Sequence, residues 1–159
     1  MSEPKPSRLT EQEQEQEFQK SRVRRGTLVT AIHHLEERLS SAAPGREKPW
    51  VQGMIDALAE LRAVMRDRLD TSDGLLRDIE AAAPHLWNQV QKLRTEYAHI
   101  ERQAGDLIAE FHSPDEGHCA EYRDVRQRVG WLLTALRHEQ SRETDLIFKV
   151  YNRDMGGGG

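Results

Sequence analysis

The sequence has little of what secreted and membrane proteins need. Cys119 is its single cysteine, so one chain forms neither an internal disulfide nor a cysteine-based zinc site. Its first residues contain no apolar stretch typical of a signal peptide, and no run of about 18 apolar residues is present to cross a bilayer. These absences predict a soluble, cytoplasmic protein with no membrane partner.

Long basic segments are also lacking. The net charge is −4, and the densest basic run, "SRVRRG" at 21–26, follows the acidic "EQEQEQE". This interleaving of charges is typical of solvated helix faces, so we expect no nucleic-acid partner. The chain has no phosphate-binding loop, no dinucleotide fingerprint and no nucleophile beside a base. We therefore expect that it is not an enzyme.

Apolar residues recur at helical spacing in four long segments that are poor in glycine and proline. The third segment, just after Pro84, is the clearest, with alternating steps of four and three: Leu86, Val90, Leu93, Tyr97, Ile100, Ala104, Leu107 and Phe111. Breakers at 40–45, 69–74 and 112–117 separate the segments, and "LLRDI" after the second adds a short helix.

This pattern predicts an all-α, up-down-up-down four-helix bundle with a short extra helix between helices two and three. The bundle is expected to span residues 9–152. Residues 1–8 are predicted to be a disordered N-terminal arm, and 153–159 a flexible glycine-rich tail. The three tryptophans are expected in the core or at its margin: Trp50, Trp87 and Trp131.

Histidines are the remaining candidates for chemistry, because bundle cores often bind metals through histidine and carboxylate side chains. His138 precedes Glu143 by five positions, roughly 140° around a helix, so the two can flank a metal inside a bundle. Polar residues interrupt the apolar stripe here, at Glu139, Gln140 and Glu143. The alternative is that this part of the helix turns outward and leaves His138 exposed.

The most specific segments of the chain are "GLLRDI", "APHL", "LRTEYAHI", "HEQSRETDLIF" and the ending "YNRDMGGGG". On these segments and on the order and spacing of its helices, the chain resembles the hemerythrin or HHE cation-binding family over roughly residues 23–155. The resemblance implies a four-helix bundle whose core holds a non-haem di-iron centre ligated by histidines and carboxylates. It also implies that His138 and Glu143 match the ligands of the fourth helix, and that His34 or His33 matches the histidine of the first.

The same resemblance implies that other ligands of the family are replaced here. Arg68 and Ser72 stand at the second-helix positions, with Asp73 adjacent, and Tyr97 and Glu101 stand at the two third-helix histidines. At most a smaller, mononuclear site remains, formed by His34, Glu101, His138 and Glu143. In the alternative, the Tyr97 ring fills the former metal cavity and its hydroxyl bonds Glu143 or Arg68.

Two functions follow from these alternatives. The first is a hemerythrin-like bundle with a degenerate metal site and no cofactor. Such a protein would be a non-catalytic scaffold or interaction module, binding a protein partner or a second copy through its helices. The second is a metal-binding sensor or storage protein that holds iron in the reduced site.

Overall fold

The computed structural model describes residues 10–41, 45, 47–112 and 122–155, and within these ranges the regular structure is entirely helical. The helices are α1 (Glu11–Ser40), α2 (Glu47–Leu69), α3 (Leu75–Ala82), α4 (Trp87–Phe111) and α5 (Tyr122–Met155), with a 3-10 turn at Pro84–Leu86 before α4. The predicted all-α class and the short helix between the second and third long helices are confirmed.

The predicted boundaries differ from the observed ones at the C-terminal end. Helix α5 continues to Met155, three residues beyond the expected end of the bundle at 152. The predicted arm at 1–8 and the last four residues of the predicted tail lie outside the described residues. Among the described helices, none has a stretch both long and apolar enough to cross a membrane.

Helix α1 begins at a capping box. The Thr10 hydroxyl accepts a hydrogen bond from the Glu13 amide at 3.3 Å, and the Glu13 carboxylate accepts one from the Thr10 amide at 3.1 Å. These two bonds satisfy amides that have no partner within the helix. Glu11 and Glu13 also place negative charge at the positive end of the helix dipole.

The four long helices contact one another in a ring, in the order α1, α2, α4 and α5. Helices α1 and α2 run in opposite directions, because the Arg38 carbonyl accepts from the Trp50 indole while the Arg24 carbonyl accepts from Arg68. Helices α4 and α5 are also antiparallel, since Arg128 pairs with Glu110 while the other ends meet at Gln89 and Lys149. Opposed neighbours let short connections join successive helices.

The core follows the predicted stripes. Along α4 and the preceding turn, every stripe position from Leu86 to Leu107 is buried, and Phe111 packs at the edge. Trp50 is buried as expected. The prediction is wrong for Trp87 and Trp131, which are 56% and 65% exposed. Both lie off the apolar stripes of their helices, so their rings point away from the core.

Helix α3 closes one end of the ring through its buried residues Leu75, Leu76 and Ile79. The residue that caps its start is Gly74, which offers no side-chain hydrogen bond to the helix. In the turn before it, Ser72 donates its hydroxyl to the Asp70 carboxylate at 2.7 Å. A Cβ on Gly74 would lie 2.4 Å from the Asp70 carbonyl oxygen, so only glycine fits this close approach.

Candidate functional site

A buried ion pair joins α2 to α5. The side chains of Arg68, in the last turn of α2, and Glu143, in the middle of α5, are 0% and 2% exposed. Arg68 Nε donates to Glu143 Oε1 at 2.7 Å, and Arg68 Nη2 donates to Oε2 at 3.3 Å. The guanidinium therefore binds the carboxylate through two parallel bonds, the strongest arrangement available to this pair.

Local helix geometry brings these charges inside. Arg68 continues the apolar stripe of α2 three residues after Met65, so its side chain leaves the helix on the core face. Glu143 occupies a stripe position of α5 between the buried residues Leu136 and Leu146. Both charges lie on core-facing positions, so the charge of each side chain is neutralised by the other.

The pair is also tied to the first helix. Arg68 Nη2 donates to the backbone carbonyl of Arg24 in α1 at 2.9 Å. Burial opposes the charged guanidinium, but the charge and hydrogen bonds of Glu143 outweigh this and raise the pKa of Arg68. The side chain is therefore a permanent cation, and it links three of the four long helices.

Tyr97 completes the cluster from α4. Its side chain is fully buried, and its hydroxyl makes no hydrogen bond to the described residues. Burial raises the pKa of Tyr97, and the Glu143 charge adds to this while the nearby Arg68 charge opposes it. The hydroxyl thus stays protonated and lies close to both partners named in the sequence alternative, but its geometry falls short of a full hydrogen bond to either. Arg68 Nη1 is likewise unpartnered within the described part of the chain.

The other three predicted ligands lie elsewhere. His34 is about half exposed and bonds Glu60 of α2, with 2.7 Å between Nδ1 and Oε2. Glu101 lies between two arginines of α2, 2.7 Å from Arg62 Nε and 3.2 Å from Arg66 Nε. These contacts hold both side chains on the outer edges of helix interfaces.

His138 is 68% exposed, as the outward-turning alternative predicted for this residue. The polar interruption beside it nevertheless remains in the core, because Glu139 and Glu143 are both buried. His33, the other candidate of the first helix, is exposed and lies 3.3 Å from Glu37 on the same helix. The structure thus brings Glu143 together with Arg68 and Tyr97, and not with the histidines.

The residues around Glu143 do not fit a metal ion. Both of its carboxylate oxygens accept hydrogen bonds from Arg68, and the guanidinium would repel a cation at the same place. Within the described ranges, no three side chains of histidine, cysteine, aspartate or glutamate converge on a point that a cation can occupy.

No protein-family model, curated protein or solved structure matches this chain. The resemblance to hemerythrin-like proteins therefore rests on the sequence segments alone.

Glu139 is one further buried charged residue, and in the sequence it appears only as a break in the apolar stripe of α5. Glu139 has one carboxylate oxygen 3.6 Å from Arg142 Nη1 and the other without a partner among the described residues.

Proposed function

We propose that this chain is a hemerythrin-like, up-down-up-down four-helix bundle that works as a non-catalytic scaffold or interaction module in the cytoplasm. In this proposal the ion pair of Arg68 and Glu143, with the Tyr97 ring beside it, takes the place of a metal centre. The observation that carries the proposal is the fully buried guanidinium, hydrogen-bonded through two nitrogens to the one predicted ligand that reaches the core.

A permanent cation suits a structural role better than a catalytic one. A side chain with a raised pKa and a committed carboxylate partner neither exchanges protons near neutral pH nor offers an open position to a substrate. Exposed aromatic residues support the interaction role, because tryptophan and phenylalanine are enriched in protein interfaces. They are Trp87, Trp131 and Phe148. The partner we expect is a protein or a second copy of the chain, rather than nucleic acid or a membrane.

The first test is the metal content of untagged protein, purified without chelators from iron-supplemented cells and measured by plasma mass spectrometry with an absorption spectrum. We expect far less than one iron per chain and no oxygen-dependent charge-transfer band. The variants His34→Ala and His138→Ala should leave the metal content unchanged, like the control His99→Ala, which alters an exposed histidine of α4 outside the predicted ligand set.

A stoichiometry of one or two irons per chain would overturn the scaffold proposal. If His34→Ala or His138→Ala then released the metal while His99→Ala did not, the iron sensor or storage function would replace it. Light scattering of the same samples measures whether the chain associates with itself. A monomer at all concentrations would direct the search toward a different protein as the partner.

A further inference from the structure

A cavity of about 230 Å³ lies between α1 and α5 and borders Glu143 of the buried ion pair. Its wall on α1 consists of Arg25, Gly26 and Val29, and its wall on α5 of Gln140, Glu143 and Thr144. The volume is smaller than the 300 to 1,000 Å³ typical of sites for drug-sized ligands. The space therefore suits a small organic molecule.

Arg25 is the unusual member of this wall. It is half-buried, and its guanidinium has no ion pair and no hydrogen bond to any described residue. Every other described arginine that is buried or half-buried pairs with a carboxylate. These are Arg24, Arg62, Arg68, Arg94 and Arg128. A partly desolvated guanidinium that has no anionic partner in the chain favours the binding of an anion from outside it.

Gly26 keeps the space beside Arg25 open. A Cβ at this position would meet nothing within 4 Å, so the glycine is not required by close packing. Glycine inside a helix is destabilising relative to alanine, and α1 contains this glycine where its surface forms the cavity wall. A larger side chain here would extend into the free volume.

The remaining walls define what kind of anion fits. Glu143 lines the cavity, but its charge is already neutralised by Arg68, so it does not cancel the charge of Arg25. Val29 supplies an apolar contact. The cavity offers one guanidinium, from Arg25, with the Glu143 carboxylate in the same wall. This combination favours a monoanion with an apolar part over a phosphate dianion, because a dianion prefers several cations.

We propose that this cavity binds a small organic monocarboxylate. The Arg25 guanidinium holds the carboxylate through two parallel hydrogen bonds, Val29 packs against the apolar part, and the Gln140 amide is within the same wall. This site goes beyond the scaffold role, because its walls include none of the exposed aromatic residues and it needs no metal.

The test is a titration of isotope-labelled full-length protein with acetate, hexanoate and benzoate, followed by amide chemical shifts. We expect at least one of them to bind with a dissociation constant on the order of 1 mM, with shifts centred on Arg25, Gly26 and Gln140. Benzamide and hexanamide, the neutral matches, should bind roughly tenfold more weakly because they lack the charge that Arg25 pairs with.

Variants assign the effect to the cavity. Arg25→Met and Gly26→Leu should each weaken carboxylate binding about tenfold or more. Arg25→Lys should weaken it less, because lysine keeps the positive charge. The matched controls are Arg102→Met, at an exposed arginine of α4, and Gly130→Leu, at the α5 glycine whose added Cβ also meets open space. Both should bind like the native chain, and circular dichroism checks that each variant is folded.

Three results would overturn the proposal. One is the absence of Arg25-dependent shifts with all three carboxylates. Another is equal binding by the native chain and folded Arg25→Met. The third is tighter, Arg25-dependent binding of inorganic phosphate, which would assign the cavity to a different class of anion. Should Gly26→Leu fail to fold, Arg25→Met and the amide comparison still decide the question.

Discussion

Replacing Arg68 by methionine removes the cation of the buried pair and leaves a side chain of similar length. The Glu143 carboxylate, 2% exposed, then has no positive partner in the described part of the core. The carbonyl of Arg24 loses one donor but still accepts from the Thr27 hydroxyl at 2.6 Å. The cost of the substitution is therefore mainly that of an unpaired, buried negative charge.

Breaking one side of such a pair destabilises a protein by about 3–5 kcal/mol, whereas replacing both sides by apolar residues is often neutral or stabilising. We expect Arg68→Met to lose about 3–5 kcal/mol of unfolding free energy, and the double variant Arg68→Met, Glu143→Leu to recover most of it. The partly exposed pair of Arg128 and Glu110 provides the control, since its loss should cost less than about 1 kcal/mol.

Urea unfolding followed by circular dichroism measures these differences. With a slope of about 2 kcal/mol per molar urea, the single substitution should move the midpoint by roughly 2 M, and Arg128→Met by less than about 0.5 M. Glu143→Leu alone completes the double-mutant cycle. Equal effects of Arg68→Met and Arg128→Met would contradict the proposed cost of an unpaired buried charge. So would a double variant as unstable as the sum of the two single changes.

Three further predictions concern single residues. Tyr97→Phe should raise the unfolding free energy by about 1 kcal/mol, because it removes a buried hydroxyl without a partner; a loss of that size would mean that the hydroxyl is bonded. Hydrogen bonds from Arg62, although opposed by burial, lower the pKa of Glu101 below 4.5. Its stabilisation is therefore present above pH 4.5 and is lost as the pH falls through the lowered pKa. Glu101→Gln should cost less than about 1 kcal/mol at pH 7 and nothing in acid, measured by urea unfolding at several pH values; a constant difference would contradict this. Gly130→Ala should stabilise by about 0.5–1 kcal/mol, whereas Gly74→Ala should destabilise by more than that, because its Cβ meets the Asp70 carbonyl. Thermal unfolding ranks the two, and the reverse order would be inconsistent with the packing.

The apolar pattern predicted the helices because burial selects one face of each. The steps of four and three from Leu86 to Leu107 define that face of α4 without any knowledge of its neighbours. The same spacing continues through Arg68 in α2 and through Glu143 in α5, so the pattern also predicts that these two charged side chains are buried. The pattern does not predict that they pair with each other, because periodicity shows which face of a helix is buried and not which residue lies opposite it.

The histidines show the same limit. A residue beside an apolar stripe is directed inward or outward by a small rotation of the helix, and contacts across the interface decide the outcome. Glu60 holds His34 at the α1–α2 edge, and Trp131 points outward although its neighbour Leu132 is buried. A ligand set that assumed inward histidines therefore had only Glu143 in the core.

Stability alone does not explain a buried ion pair in this core, since two apolar residues of similar size would serve about as well. Two apolar residues, however, make no directional hydrogen bonds. Arg68 donates at once to Glu143 of α5 and to the Arg24 carbonyl of α1, so it fixes the relative register of three helices. We expect the double variant to remain stable while its core exchanges between packings, seen as broadened methyl resonances; sharp, native-like resonances would assign the pair no such role.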